Sequence, residues 1–319
     1  MTDIIASALA GPQAGHSFQH AYITADGKAR ARVALERLRT LWFNTGTLCN
    51  LACANCFMES TPRNDALVYL RAVEVEAFLS EAESLDLGVE EIGFTGGEPF
   101  MNPDMLDMLH SSLGRGHRAL VLTNGMRPMI KCAEGLLALK ERFGQRLALR
   151  VSVDHFRREL HEEERGSRSW TQAMQGLKWL DENGFNLCVA GRLRWGDDEP
   201  AMRTGFKQLL EAHGIDLNVE DPKRLVLFPE MDEDADTPEI TTECWELLGV
   251  RPSDVMCASS RMVVKHKGAT QPSVVSCTLL PYEGPFDLGP TLSGALGEVA
   301  LNHPHCSRFC VIGGGKCSG

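Results

Sequence analysis

Three cysteines stand close together in the run Leu48-Cys49-Asn50-Leu51-Ala52-Cys53-Ala54-Asn55-Cys56-Phe57, and their spacing is C-x3-C-x2-C. Three thiolates on one short loop can each hold one iron of a four-iron, four-sulfur cubane. The fourth iron then lacks a protein ligand and is open to a reactant. Zinc is the competing occupant, but it ordinarily takes four nitrogen or sulfur ligands. No fourth ligand follows closely, since the next His is His110 and the next Cys is Cys132.

A second group, Cys257, Cys277, Cys306, Cys310 and Cys317, comes late in the chain. Four thiolates close a cluster and make it an electron carrier. Four also suit a structural zinc ion that would stabilise a small, loop-rich region. Cys132, Cys188 and Cys244 read as small core residues, because Cys132 shares a helical stripe with Leu136, Leu139 and Phe143, Cys188 lies in a strand-like run and Cys244 sits beside Trp245.

These residues need elements to position them. From residue 38 onward, apolar strand-like runs alternate with helical patterns, as in parallel βα units. Leu41 to Asn44 is the first strand, and the cysteine loop follows it. Val75, Phe78, Leu79, Ala82 and Leu85 mark a helix that ends near Gly88. Glu91 to Thr95 is the second strand and ends in Gly96-Gly97-Glu98-Pro99. Asn102-Pro103 predicts the start of a helix with Pro at its first position, and Met105, Leu106, Leu109 and Leu113 form its buried stripe.

Ala119 to Thr123 is the third strand, closed by Asn124-Gly125, and one helix is expected over residues 128–143. Leu147 to Val153 is the fourth strand, and Trp170 to Leu180 carries a helical stripe. Leu187 to Leu193, a helix near Phe206 to Ala212, and Leu225 to Phe228 complete the alternation. Parallel barrels carry their chemistry at the C-terminal ends of the strands, where these motifs fall. Ser152 and Asp154 alternate with Val151 and Val153, so their side chains share a face. Residues 231–319 break the pattern with Pro, Gly and Cys in short elements, after an acidic stretch from Glu230 to Asp236 that reads as a solvated linker.

This order of motifs, a three-cysteine loop after the first strand and GGE after the second, resembles the radical S-adenosylmethionine (radical SAM) superfamily over roughly residues 38 to 230. The resemblance implies an α/β fold: an N-terminal extension over 1–33, a partial (βα)6 radical SAM barrel over 34–230, and a small cysteine-rich α+β extension over 231–319. It implies that Cys49, Cys53 and Cys56 ligate a 4Fe-4S cluster whose open iron is chelated by S-adenosyl-L-methionine. Reductive cleavage would give a 5'-deoxyadenosyl radical, which abstracts hydrogen from a substrate carbon. A low-potential donor such as flavodoxin or ferredoxin would supply the electron.

On the same resemblance, Gly96, Gly97, Glu98, Asn124, Ser152, Asp154 and Arg192 fall where the cofactor would be held. The two glycines would let the backbone approach the methionine moiety. Glu98 would accept a hydrogen bond from its ammonium, and Ser152 and Asp154 would reach its ribose or carboxylate. Arg192 would pair with that carboxylate through its planar fork. Asn124 reads equally as a turn former. Asn55 stands where many members carry an aromatic residue against adenine, with Phe57 two places later.

The second cysteine group resembles the auxiliary-cluster extension called Twitch, the shorter relative of SPASM, in which a β-hairpin and a later segment supply two cysteines each. Cys257, Cys277, Cys306 and Cys310 are then the expected ligands of a second 4Fe-4S cluster, with Cys317 able to replace Cys306 or Cys310. A similar Twitch-bearing dehydrogenase of aminocyclitol antibiotic biosynthesis implies net oxidation of a small molecule. A peptide substrate is the alternative, although the lead-in before the barrel is short for a peptide-recognition domain. Asp154, His155 and Glu230 are candidate proton acceptors at the barrel mouth. The reading from another class is a non-catalytic module with zinc at both cysteine groups.

A net charge of −11 and a pI near 5.4 argue against a nucleic-acid partner. No apolar run reaches membrane-span length, and no basic segment precedes the apolar N-terminal residues as in a secretory signal. A cytoplasmic protein is expected, and in that compartment eleven cysteines read as metal ligands before disulfides.

Overall fold

The computed structural model describes residues 17–230 and 236–315. Cys317 and most of the acidic stretch, residues 231–235, lie outside the described residues. In chain order the elements are β1 (Arg32–Val33), β2 (Thr40–Asn44), α1 (Ala72–Ser84), β3 (Glu91–Thr95), α2 (Met105–Gly114), β4 (Arg118–Thr123), α3 (Arg127–Lys131), α4 (Ala133–Phe143) and β5 (Leu147–Ser152). There follow α5 (Arg158–Arg165), α6 (Ser169–Glu182), β6 (Asn186–Leu193), α7 (Glu199–Ala212), β7 (Leu225–Pro229), α8 (Cys244–Leu248), β8 (Ser260–Val264), β9 (Ser273–Val275) and β10 (Val299–Ala300).

Eight strands form one sheet in the order β7-β6-β5-β4-β3-β2-β8-β9. Every neighbouring pair is parallel except β8 with β9. Residues of β2 to β6 are largely buried, and their apolar side chains pack against the helices in one large core. Phe43 of β2 lies opposite Phe94 of β3, and their rings stack at 5.8 Å. Because the strands run the same way, their C-terminal ends gather on one side, where the loops meet.

Three local expectations are revised. The helix expected over 128–143 is two helices, because the Cys132 N–H closes the first on Met129 and the Cys132 carbonyl opens the second to Leu136. Pro103 lies in the turn before α2 rather than at its first position. Asn102 is held there by its side chain, which donates to the carbonyls of Thr45 (3.0 Å) and Leu70 (2.8 Å) and accepts from the Asp104 N–H. Helix α5 has no counterpart in the sequence reading, because Arg158 to Arg165 offers no apolar stripe to signal it.

The C-terminal segment continues the sheet of the preceding strands. Strand β8 pairs along β2, with Leu41 opposite Arg261. Arg261 is fully buried and donates to the carbonyls of Cys257 (2.6 Å), Ala295 (2.8 Å) and Gly297 (3.0 Å), which satisfies its charge with fixed dipoles. Strand β1 pairs antiparallel with β10, so the N-terminal residues are tied to the C-terminal segment. The buried guanidinium of Arg30 reinforces that tie by binding Glu239 and the Leu301 carbonyl.

Candidate active site

Strand β2 ends in a buried turn, Asn44 to Thr47, that leads into the cysteine loop. The Gly96-Gly97 turn at the end of β3 lies against it: Gly97 N–H donates to Gly46 O at 2.8 Å and Glu98 N–H to Leu48 O at 3.1 Å. A Cβ on Gly97 would stand 2.3 Å from Leu48 O, and Gly96 holds φ at +142°. Both positions therefore require glycine, chiefly because the loop backbone approaches so closely.

Around this turn the strand ends enclose a cavity of about 180 Å³. Cys49, Cys53, Cys56, Gly96, Gly97, Asn124, Ser152, Asp154 and Arg192 all line it, as do Phe57, Glu164 and Arg165. Residues named from six separate stretches of sequence thus meet in one place.

The Cys49 thiol is buried, and those of Cys53 and Cys56 are partly buried. Burial pushes Cys49 up to about 12 and Cys53 up to about 11, so a metal's charge is needed to hold them as thiolates. Backbone donors already face the sulfurs, from Leu51 to Cys49 Sγ at 3.4 Å and from Ser60 to Cys56 Sγ at 3.3 Å. Asn124 Nδ2 reaches Asn50 Oδ1 at 2.9 Å and Cys49 Sγ at 3.9 Å. Such donors stabilise cluster-bound sulfur. Among the described residues, no three His, Cys, Asp or Glu side chains converge on a point that one metal ion could fill.

Helix α5 brings two residues that sequence reasoning missed. Glu164, 3% exposed, accepts from the Asn55 N–H and side-chain amide, both at 2.9 Å, while its carbonyl accepts from Ala54 N–H at 2.8 Å. It pairs with Arg192 at 3.0 Å, and Arg192 in turn donates to Asn55 O at 3.1 Å and lies over the Phe57 ring. Arg192 thus braces the cysteine loop through Glu164 as well as facing the cavity. Arg165 pairs with Asp154 and lies near Cys53 and Cys56; burial opposes its charge, and the Asp154 carboxylate outweighs that and holds the guanidinium protonated. The sequence signal that could have found both is a carboxylate and an arginine side by side in the loop after the fourth barrel strand.

Four expected residues are held by protein partners. Glu98 does not reach the cavity surface: its carboxylate accepts from Thr123 Oγ1 (2.8 Å), Asn124 N–H (2.8 Å) and Phe100 N–H (3.2 Å), joining the ends of β3 and β4. Those donors favour its anion, but burial outweighs them and pushes the group up to about 7. His155 is fully buried off the cavity, with Nδ1 accepting from Arg157 N–H and Nε2 facing Asp197 at 3.0 Å. Burial lowers its proton affinity. Glu230 lies against Arg194 at 3.3 Å and Arg192 at 4.0 Å, outside the cavity lining. Asp154 is in the lining but committed to Arg165.

The second cysteine group also converges. Cys257 precedes β8, Cys277 follows β9, and Cys306 and Cys310 lie on one π-helical segment, Cys306–Ile312. All four line one small apolar cavity of about 20 Å³, together with His305. Burial raises the thiol of Cys257 to about 11 and also raises that of Cys306, and Leu279 N–H faces Cys277 Sγ at 3.4 Å. Cys132, Cys188 and Cys244 lie outside both cavities.

The fold is of the α/β class, built on a mostly parallel sheet with a cysteine-lined cavity at its strand ends. Residues 43–204, just over half of the chain, match the Radical SAM superfamily, and the chain belongs to that superfamily. Its members use a 4Fe-4S cluster and S-adenosyl-L-methionine, and the donor set described above fits both. The antilisterial bacteriocin subtilosin biosynthesis protein AlbA of Bacillus subtilis (strain 168) is 33% identical over 144 residues, covering 44% of this chain and 30% of that protein. An AdoMet-dependent heme synthase of Oleidesulfovibrio alaskensis is 29% identical over 147 residues, covering 44% and 34%. The chain therefore matches about a third of the length of these relatives. The crystal structure of Streptococcus suis SuiB bound to S-adenosylmethionine superposes with a TM-score of 0.55 at 14% identity, covering 80% of this chain and 63% of that one. That likeness establishes the shared fold. No helix among the described residues is long and apolar enough to cross a membrane.

Proposed function

We propose that this chain is a radical SAM enzyme whose six leading parallel strands form the partial (βα)6 barrel, and that it abstracts hydrogen from a substrate carbon to begin a net oxidation. The convergence of Cys49, Cys53, Cys56, Gly96, Gly97, Ser152 and Arg165 on one cavity carries this reading. Cys49, Cys53 and Cys56 would hold the cluster, which, when present, supplies the electron that cleaves S-adenosylmethionine to a 5'-deoxyadenosyl radical. The chain's own residues bind and orient. Gly96 and Gly97 expose backbone at the cavity wall, Arg165 offers a guanidinium to a carboxylate, and Glu164 with Arg192 fixes the loop between Cys53 and Cys56. Phe57, at the cavity wall, offers an apolar face to adenine. Cys257, Cys277, Cys306 and Cys310 would hold the auxiliary 4Fe-4S cluster, which, when present, would supply an acceptor for the one electron lost by the substrate radical.

The substrate in this reading is a peptide. The expectation of a small molecule leaned on how few residues precede the barrel, whereas the relative at 33% identity is named for bacteriocin biosynthesis. The heme synthase relative supports a small-molecule substrate as the second reading. Family membership and the cavity together favour an enzyme over a zinc module.

Anaerobic reconstitution with iron and sulfide, followed by dithionite and S-adenosylmethionine, tests the proposal. It expects about eight irons per chain, the sum of two cubanes, and release of 5'-deoxyadenosine. Zinc at both sites and intact S-adenosylmethionine would overturn it.

A further inference from the structure

A third cavity, of about 90 Å³, lies between the two cysteine sites. It shares Phe57, Met58, Thr95, Leu122 and Phe228 with the first cavity and Leu279 with the second. Its walls come from two parts of the chain: Leu122 and Phe228 belong to β4 and β7, while Leu279 and Phe309 come from the C-terminal segment. Phe309 is fully buried between Cys306 and Cys310 in sequence, and its ring lies 5.8 Å from that of Phe228. Tyr282 Oη donates to Met58 O at 2.8 Å, which fastens the C-terminal segment to the cysteine loop beside the chamber.

The chemistry of the two neighbouring spaces differs. The first cavity carries Asp154, Glu164, Arg165 and Arg192, a set suited to the zwitterionic end of a sulfonium amino acid. Among its described lining residues the third has no charged side chain; its polar side-chain groups are the hydroxyls of Thr95 and Thr278 and the indole N–H of Trp42, which has no hydrogen-bond partner. An ionised group placed there would lose its water and gain no opposite charge. At about 90 Å³ the chamber alone is smaller than the roughly 150 Å³ dry apolar cavity that holds a benzene-sized guest, so an aliphatic side chain fits within it and an aromatic one fits by extending across the shared wall into the first cavity. The chamber with its opening into the first cavity matches one amino-acid side chain and is too small for a macrocycle.

We propose that this chamber receives an uncharged aliphatic or aromatic side chain of the substrate peptide, with Leu279 and Phe309 determining which side chain fits. The inference rests on the peptide reading above and names the residue class that would be presented to the radical. Placement between the two cysteine sites would bring the reacting carbon near both the site of hydrogen abstraction and the acceptor of the following electron.

The test uses the reconstituted holoenzyme with S-adenosylmethionine and five probes, the N-acetyl α-amides of leucine, phenylalanine, lysine, glutamic acid and tryptophan, with affinities from saturation-transfer NMR. The leucine and phenylalanine amides are expected to bind at least about tenfold more tightly than the charged pair. Leu279→Phe, which narrows the chamber, should weaken phenylalaninamide by a similar factor. Phe309→Leu, which widens it, should shift preference toward N-acetyl tryptophanamide. Iron content and circular dichroism matching the unmodified protein establish that each variant is folded. Equal binding of charged and apolar amides, no binding of any amide, or preferences unmoved in a folded variant would overturn the proposal. Release of 5'-deoxyadenosine without any amide reports separately on the radical chemistry, so the two readings fail independently.

Discussion

Arg165 grips Asp154 at two points, Nε to Oδ2 at 2.6 Å and Nη2 to Oδ1 at 3.1 Å, at the wall of the cavity that holds the three cysteines. Its sequence neighbour Glu164 turns the other way, to Asn55 and Arg192. Two consecutive residues at the end of α5 therefore serve separate ends: one presents a fixed guanidinium to the cavity and the other clamps the loop between Cys53 and Cys56. A fork already aligned by a buried carboxylate loses little freedom when a ligand binds.

Arg165→Lys keeps the charge and loses the fork. Binding of S-adenosylmethionine to the anaerobic, reconstituted variant, measured by calorimetry, should weaken about tenfold. Asp154→Ala leaves the guanidinium without its partner and should lower the unfolding free energy by about 3 kcal/mol, the low end for a broken buried pair because the Arg165 side chain stays 14% exposed. Unchanged affinity in the lysine variant would remove Arg165 from the binding site.

Glu164→Ala deletes the two acceptors that hold Asn55 and leaves Arg192 without its nearest carboxylate. Iron analysis should show loss of about one cubane's worth, four irons, from the loop of Cys49 while the second cysteine group keeps its own. The spectroscopic signature of a site-differentiated cluster perturbed by S-adenosylmethionine should vanish with it.

Glu98 should make stability depend on pH. Its folded value is raised to about 7 from 4.5, so between those two pH values the native state keeps a proton that the unfolded chain releases. Stability from this group is fully present below about 4.5, declines as pH rises, and is lost above about 7. The swing is on the order of 3 kcal/mol. Glu98→Gln should remove it, so denaturation of the variant between pH 5 and pH 8, compared with the unmodified protein, should show a flatter profile.

Much of this arrangement was legible in the sequence, and each part that was not has a physical cause. The six parallel strands from β2 to β7 announced themselves because each is an apolar run between helical patterns, and Gly96-Gly97 fell at a strand end. Glu164 and Arg165 stayed hidden because α5 carries no apolar stripe, so its register could not be read. The surroundings of Glu98 and His155 were not legible for another reason: whether a polar side chain faces a cavity or a neighbouring group depends on contacts between Glu98 and Thr123 or His155 and Asp197, which lie tens of residues apart. The pairing of β8 with β2 joins residues more than two hundred positions apart, and no local pattern encodes it.

The glycine turn offers the sharpest separation of packing from chemistry. A methyl group on residue 97 would lie 2.3 Å from Leu48 O, and that oxygen belongs to backbone one residue before Cys49, so it cannot swing aside as a side chain would. Gly97→Ala should therefore push the cysteine loop away, at a cost of roughly 1–3 kcal/mol in stability, and should also reduce iron incorporation at Cys49, Cys53 and Cys56. Gly114→Ala, at the end of α2 with nothing within 4 Å, adds the same methyl without a clash and should be neutral or slightly stabilising. Full iron content and 5'-deoxyadenosine release in Gly97→Ala would show that the close approach of the two turns is incidental to the site.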